Sequence, residues 1–386
     1  MRKEFKYLDK TLLFFSVLLF VVGLIMVFSS SNITAYMKQG DSPYTYFIRQ
    51  FIFLFAGVIA SIVLLKIDTK FYKRASFFAV IVTTIILAII LVEGKVKNGA
   101  SSWVYIGPFS LQPSEFLKAF AIMWMSCYYE FKLKKLDRWQ TIIFPFLVLA
   151  VGVALIFLQP DLGTLIIYLS GLAVVFFLSP IEPHKKTKLT IGALVVAVLG
   201  LSILFSFSGK LLTKEQKNRF DYFNPCSKFL TTGNQVCNGY IAINNGGLLG
   251  VGLGKSTQKY LYLPEPYTDF IFAITMEELG LLLSIGILFV MMIVIWRILL
   301  IGKRSFSTRG ALICYGFATI LFMHILVNLG GLFGLIPLTG VPLPFISYGG
   351  SFTLMTIGML SIVQRINVET REKEEKIKKI REKNTL

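Results

Sequence analysis

The sequence predicts an all-α polytopic membrane protein of about ten transmembrane helices, with a long extracytoplasmic loop between helices 7 and 8. Three observations carry that expectation. Apolar residues make up 55% of the 386, and the mean hydropathy is +0.70, more than the interior of a soluble chain this size absorbs. Apolar runs close to the length that crosses a bilayer recur from residue 11 to residue 363. Lys and Arg gather in alternate connections, the pattern of cytoplasmic loops. No polar stretch is long enough for a second core, so residues 1–386 read as one membrane domain.

The expected spans are Thr11–Phe28, Tyr46–Leu65, Phe77–Val92, Glu115–Tyr129, Ile142–Leu158, Leu162–Leu178, Leu189–Phe207, Phe270–Trp296, Ala311–Leu329 and Phe345–Val363. The first follows Arg2, Lys3, Lys6 and Lys10 and runs into Ser29-Ser30-Ser31-Asn32 without a small-residue cleavage site, so it reads as an uncleaved span after a cytoplasmic segment 1–10. Alternating from there, the cytoplasmic segments hold 27 of the 39 Lys and Arg, including the charged tail 365–386. That bias accounts for the net charge of +18 without nucleic acid. The loop 208–269 is longer than an ordinary connection, and its aromatics, Gly-Gly pairs and Pro264 predict an ordered functional loop. The tail from Glu369 to Lys383 alternates acid and base and predicts a solvated helix. No internal repeat is evident, which argues against the commonest transporter folds.

Cys127 and Cys314 sit in apolar runs as inert core residues. Cys226 and Cys237 share the long loop, and the sequence leaves their pairing open. Two histidines and no Cys-x-x-Cys argue against zinc.

Ionisable residues inside spans are functional candidates by default. Gln112-Pro113-Ser114-Glu115-Phe116-Leu117-Lys118 starts a helix with Pro in the first turn and Glu at its positive end. Glu115 and Lys118, three apart, share a face and can pair, either to fix packing or to present a cation to an anionic headgroup. In Gln159-Pro160-Asp161-Leu162, Asp161 can cap the next helix. Asp269 closes the loop segment that holds Glu265, beside an apolar run that tends to raise a carboxylate's pKa toward that of a general base; an N-cap role is the alternative. Glu277 and Glu278 follow in the apolar run, and a cation from another helix is expected to pair with one of them. Three prolines and several glycines between Pro337 and Ser351, with Ser347 among them, predict non-helical backbone at membrane depth. Gly250-Val251-Gly252-Leu253-Gly254-Lys255 lacks the spacing of a nucleotide loop. Lys210, Lys214, Lys217 and Arg219 form a basic patch suited to solvent, headgroups or pyrophosphate, and His324 reads as a hydrogen-bonded core residue.

At these motifs the chain resembles the SEDS proteins (shape, elongation, division and sporulation), whose members include RodA and FtsW. The resemblance rests on Trp103–Gly107, Gln112–Lys118, Gln159–Thr164, Leu263–Ala273 with Glu277-Glu278, and Pro342–Ser351, in that order. It implies a ten-helix peptidoglycan glycosyltransferase of the bacterial cytoplasmic membrane that polymerises lipid II on the outer face. The implied partners are a class B penicillin-binding protein, the cross-linking transpeptidase, and other divisome or elongasome membrane proteins. Asp269 is the implied essential carboxylate, the catalytic residue, with Glu115, Lys118, Asp161, Trp103, Gln112, Glu265 and Ser347 at the substrate. Many members carry an arginine where this chain reads Ser102 before Trp103, so that residue's role does not carry over; Lys95 and Lys97 are candidates to replace it. Gly233-Asn234-Gln235, Gly252–Lys259 and Asn328–Pro337 resemble the division branch more than the elongation branch. No cofactor is implied with certainty; a divalent cation, Mg or Mn, could assist the leaving pyrophosphate, although the sequence holds no dedicated cage. The rivals are a lipid II flippase or transporter and a non-catalytic division scaffold.

Overall fold

Eleven α-helices and one small hairpin make up the computed structural model, which describes residues 6–93, 103–107, 109–208, 225–228, 233–260 and 262–384. The helices are α1 (Lys10–Gln39), α2 (Thr45–Leu64), α3 (Tyr72–Glu93), α4 (Pro113–Phe131), α5 (Trp139–Leu158), α6 (Leu162–Leu178), α7 (Pro183–Ser208), α8 (Asn234–Gly246), α9 (Ile271–Arg304), α10 (Thr308–Leu332) and α11 (Gly350–Asn384). Their ends follow local chemistry. Asp9 caps α1 through a 2.8 Å bond from Leu12 N, and Gly40 ends it in the left-handed region at φ 66°. Ser307 caps α10 by accepting from Gly310 N at 3.1 Å.

Among the described residues, six helical segments are long and apolar enough to cross a bilayer: Lys10–Met37, Thr45–Leu64, Thr69–Val92, Trp139–Leu158, Ile271–Arg304 and Thr308–Leu332. The other expected spans fall within α4, α6 and α7, except the last, which only overlaps α11. The outward faces of the peripheral helices carry Phe14, Val17, Phe51, Phe55, Phe78 and Phe289, the surface of a protein whose solvent is lipid.

The core is built around α4 and α10. α4 is buried on nearly every side from Pro113 to Tyr129 and packs against α3, α6 and α10. Close approach depends on small residues. Ile122 fits between Gly171 on α6 and Gly316 on α10, where an added Cβ would lie 2.8 and 2.6 Å from it.

Both chain ends meet at one end of the bundle, the terminal end. There Asn367 Nδ2 donates to the Tyr7 carbonyl at 2.7 Å, and Asp9 N donates to Gln364 Oε1 at 2.8 Å. The opposite, loop end carries residues 233–270 and the turns before α4 and α6.

Several expectations need correction. The chain is not wholly helical: Val104–Ile106 (β1) pairs antiparallel with Phe109–Leu111 (β2) around Gly107 at φ 58°. The Val-Tyr-Ile and Gly-Pro signals of a hairpin were present in the sequence. The tail from Glu369 to Lys383 is helical and mostly exposed, as expected, but it continues α11 from the last span without a break; Arg365, Asn367 and Val368 just before it and Thr370 within it are buried. That last helix starts at Gly350 rather than Phe345, because residues 340–349 are non-helical. The described part of loop 208–269 is ordered, with α8 packed along α9 and Cys226 disulfide-bonded to Cys237. Its basic patch, Lys210, Lys214, Lys217 and Arg219, lies outside the described residues, as do Lys95, Lys97 and Ser102.

α9 is two helices joined at Gly280, where φ is 79° and ψ 172°. The break frees backbone groups that lipid cannot satisfy, and the loop supplies partners. Val251 N and Gly252 N donate to the Glu277 and Glu278 carbonyls at 2.9 and 3.0 Å, and Leu281 N donates to the Gly247 carbonyl at 3.0 Å. A Cβ on Gly280 would lie 2.4 Å from Gly250 N, and one on Gly250 would lie 2.3 Å from the Glu278 carbonyl. Gly280→Ala is therefore expected to destabilise the protein by about 2–4 kcal/mol through backbone strain and overpacking. Gly286→Ala, in open space on the same helix, is expected to be neutral or stabilising by at most about 1 kcal/mol. Thermal unfolding of the purified variants compares the two.

Candidate functional site

The segment 341–351 is the hub of the loop end. It lies deep in the bundle: a Cβ on Gly23, midway along α1, would meet the Phe345 carbonyl at 2.1 Å. Its chain is irregular, with Phe345 at φ 70°, and its polar groups reach three clusters.

The first cluster holds Asp269. Ser347 Oγ donates to the Thr268 carbonyl at 2.7 Å and accepts from Leu343 N at 2.8 Å. Tyr348 N donates to the Tyr267 carbonyl at 2.9 Å. Asn328 Nδ2, on α10, lies 2.8 Å from both the Asp269 and the Val341 carbonyl. The backbone from 267 to 269 is thus fixed from two sides. The Tyr267 hydroxyl bonds to that of Tyr46 at 2.8 Å, and the rings of Tyr46, Tyr267 and Tyr348 form a cluster with Arg49 beside it.

The Asp269 side chain is half-buried and is not an N-cap: Phe270 occupies the cap position without a side-chain cap bond. Burial pushes its carboxyl up to about 6, and the negative charge of Glu265 adds to the rise. The Thr268 hydroxyl pulls the other way, lying 2.9 Å from Asp269 Oδ1, but it is equally close to the Glu265 carbonyl and has one proton to give. The result is a carboxylate that is ionised at neutral pH yet avid for a proton.

The second cluster is buried. Lys118 Nζ lies 2.8 Å from Glu115 Oε1 and 2.9 Å from His324 Nε2. His324 Nδ1 is 3.2 Å from the Pro342 carbonyl, so the network places the ring proton on Nδ1 and leaves Nε2 to accept from Lys118. Lys118 is 1% exposed. Its charge is engaged by Glu115 and His324, the buried pairing that the sequence offered as one of two readings.

In the third cluster, Gln112 Nε2 donates to Asp161 Oδ2 at 3.1 Å, and Gln112 N donates to Ser351 Oγ at 2.7 Å. Asp161 also caps α6 by accepting from Thr164 N at 3.0 Å. Trp103 opens the hairpin that leads into Gln112, half-buried. Glu265 is half-buried four residues before Asp269, with φ 51°.

Glu277 and Glu278 lie apart from these clusters, and the cation that Glu278 finds, Lys259, comes from the long loop rather than from another helix. Glu278 pairs with Lys259 at 2.9 Å and accepts from Ser29 on α1. Glu277 accepts from Asn245, Ser256 and Thr257. The glycine-rich run 250–254 has its Val251 and Gly252 amides committed to α9, so it is a structural clasp. Sequence reading missed Arg49, Asn328 and Gln50. Gln50 Nε2 donates to Thr353 Oγ1 at 2.9 Å, and its Oε1 accepts from Gly349 N at 3.3 Å. A polar side chain within an apolar run was the available signal for all three.

The chain matches the family model for FtsW, RodA and SpoVE, described as cell cycle protein, over residues 10–372. It is 36% identical to the probable peptidoglycan glycosyltransferase FtsW of Bacillus subtilis (strain 168), covering 98% of this chain and 95% of that one. It is 35% identical to stage V sporulation protein E of the same organism, covering 92% and 97%. Among solved structures, a peptidoglycan synthase complex superposes with TM-score 0.74 at 23% identity, covering 94% of this chain and 98% of that one. Rod shape determining protein RodA of Thermus thermophilus gives 0.67 at 23%, covering 93% and 96%. These two establish the fold. With the family model matched over nearly all its length and full-length relatives above 30% identity, the chain belongs to the FtsW/RodA/SpoVE family.

Proposed function

We propose that this chain is a peptidoglycan glycosyltransferase that polymerises lipid II at the outer face of the bacterial cytoplasmic membrane during septal wall synthesis, with Asp269 as general base. The name of its FtsW relatives supports the activity, and the observation that carries the site is the half-buried Asp269 carboxylate, raised to about 6 and held on backbone fixed from α10 and the 341–351 segment. The termini lie on the cytoplasmic side and the loop end faces outward, as the distribution of Lys and Arg suggests.

In the proposed reaction the acceptor's GlcNAc 4-hydroxyl attacks C1 of the donor's MurNAc with inversion. Asp269 takes the hydroxyl proton, and undecaprenyl pyrophosphate departs. The leaving group needs positive charge. Arg49, half-buried beside Tyr46 and Tyr348, is a cation already at the loop end. Lys118 reaches substrate once its contacts with Glu115 and His324 open; Gln112, Asp161, Trp103, Glu265 and Ser347 shape the surrounding groove. Among the described residues no three of His, Cys, Asp or Glu converge on one point. The transpeptidase partner is a class B penicillin-binding protein, a reading supported by the likeness to a subunit of a synthase complex.

The test is polymerisation of purified lipid II with and without the candidate partner. Glycan polymer is expected from the wild-type chain, and Lys118→Met is expected to lower the rate at least about 100-fold. Movement of labelled lipid II across proteoliposomes without polymer would instead identify a flippase, and undiminished division in cells carrying Asp269→Ala would identify a scaffold.

A further inference from the structure

At the terminal end, opposite the proposed active site, a cavity of about 290 Å³ opens where α1, α9 and α11 meet. Four cations line it: Lys6, Lys10, Arg297 and Arg371, with Asp9 and Asn367. The acidic groups nearby are already engaged. Asp9 caps α1 and pairs with Arg297, Glu374 pairs with Arg371 at 3.1 Å, and Glu375 accepts from the Tyr7 hydroxyl. Arg297 holds Asp9 through one terminal nitrogen, while its Nε is buried with no hydrogen-bond partner among the described residues. The hydrogen-bonding capacity of this guanidinium is thus only partly used beside the cavity it lines. Lys6 and Lys10 are exposed and uncommitted to any carboxylate in the cavity wall.

The depth of the cavity identifies what reaches it. Below it α1 turns apolar at Thr11–Phe14, and Arg297 follows the exposed Trp296, an aromatic of the kind that marks the bilayer boundary. The cations therefore stand at headgroup level, open to both water and lipid.

We infer that this cavity is a binding site for a phosphate-bearing anion, supplied by the headgroup of an anionic phospholipid, that ties α1 to α9 and α11. Basic pockets between membrane helices at this depth suit such headgroups, whose phosphate oxygens accept from Lys and from the free edge of Arg. The inference does not depend on the transferase reading.

The experiment measures thermal stability of the full chain in phosphatidylcholine vesicles titrated with phosphatidylglycerol. A parallel series adds inorganic phosphate to phosphatidylcholine alone. Lys6→Gln/Lys10→Gln/Arg371→Gln leaves the Arg297–Asp9 pair intact and is expected to keep the wild-type melting temperature in phosphatidylcholine. It is expected to need at least about tenfold more phosphatidylglycerol for half the stabilisation. Lys6→Arg/Lys10→Arg restores the wild-type response, and Lys134→Gln/Lys135→Gln, exposed residues of the α4–α5 turn, leaves it unchanged. Stabilisation by inorganic phosphate alone, lost in the triple variant, supports the anion site with a soluble ligand. A triple variant that titrates like the wild type, or a Lys134/Lys135 control that loses as much, overturns the proposal.

Discussion

Asp269→Asn is expected to reduce lipid II polymerisation by about 10²–10⁴-fold, the range that positioned general bases supply. Asparagine keeps the size and the bond from Thr268 but cannot take a proton. The wild-type rate is expected to fall as pH drops through about 6, where the Asp269 carboxyl protonates. Glu265→Gln removes the negative neighbour that raises that value, so the acid limb moves to lower pH. The same shift sets a stability signature. A carboxyl whose folded pKa lies above its ordinary value of 3.8 binds its proton more tightly in the folded state. Its favourable contribution is present below pH 3.8 and lost as pH rises through about 6. At pH 7.5 the charged carboxylate is thus a liability, and Asp269→Asn is expected to melt no lower than the wild type. Lost activity with an undiminished melting temperature separates chemistry from folding. Substantial polymer from Asp269→Asn, or an acid limb that ignores Glu265→Gln, would remove Asp269 from the role of base.

Lys259→Met is expected to be the most destabilising change outside that site. Glu278 is 0% exposed and Lys259 1%, so methionine leaves a carboxylate buried without its cation, a loss of about 3–5 kcal/mol. Lys259 also donates to the Gly254 carbonyl at 2.7 Å, and Glu278 holds Ser29 of α1. The change therefore loosens the loop from both α1 and the broken α9. Protease sensitivity between Gly247 and Tyr260 should rise with the drop in melting temperature. Lys259→Met/Glu278→Met, which removes both charges, is expected to recover most of the loss, because apolar replacement of a buried pair is often neutral. The exposed Arg371–Glu374 pair is the contrast, since its removal should change stability by less than about 1 kcal/mol. Should the double variant be as unstable as the single one, the charge pair would not be what fixes the clasp.

Particular residues show where sequence reading reached and where it stopped. The spans were legible because membrane insertion selects long apolar runs, and a run is a local property. The Glu115–Lys118 pair was legible because three residues along a helix return to one face. So was the cap at Asp161, which acts three residues ahead. The partner of Glu278 was not: Lys259 lies 19 residues away in an irregular loop, and no helical period links them. His324 was read as a core residue, but its bond to Lys118 joins positions 206 apart. The hairpin at Val104–Leu111 was signalled and passed over among stronger helical patterns.

The sequence by itself thus determined a multi-pass helical protein, the composition of its motifs and the pairings made within a turn of helix. Only the tertiary structure decided that residues 341–351 join Asp269, His324 and Gln112 through single hydrogen bonds, that Gly280 breaks α9 against Gly250, and that Lys118 is enclosed. Hydropathy fixes which segments leave water. Once they are in lipid, every backbone group freed by a glycine or proline must find a partner, and that partner is set by the packing of distant segments.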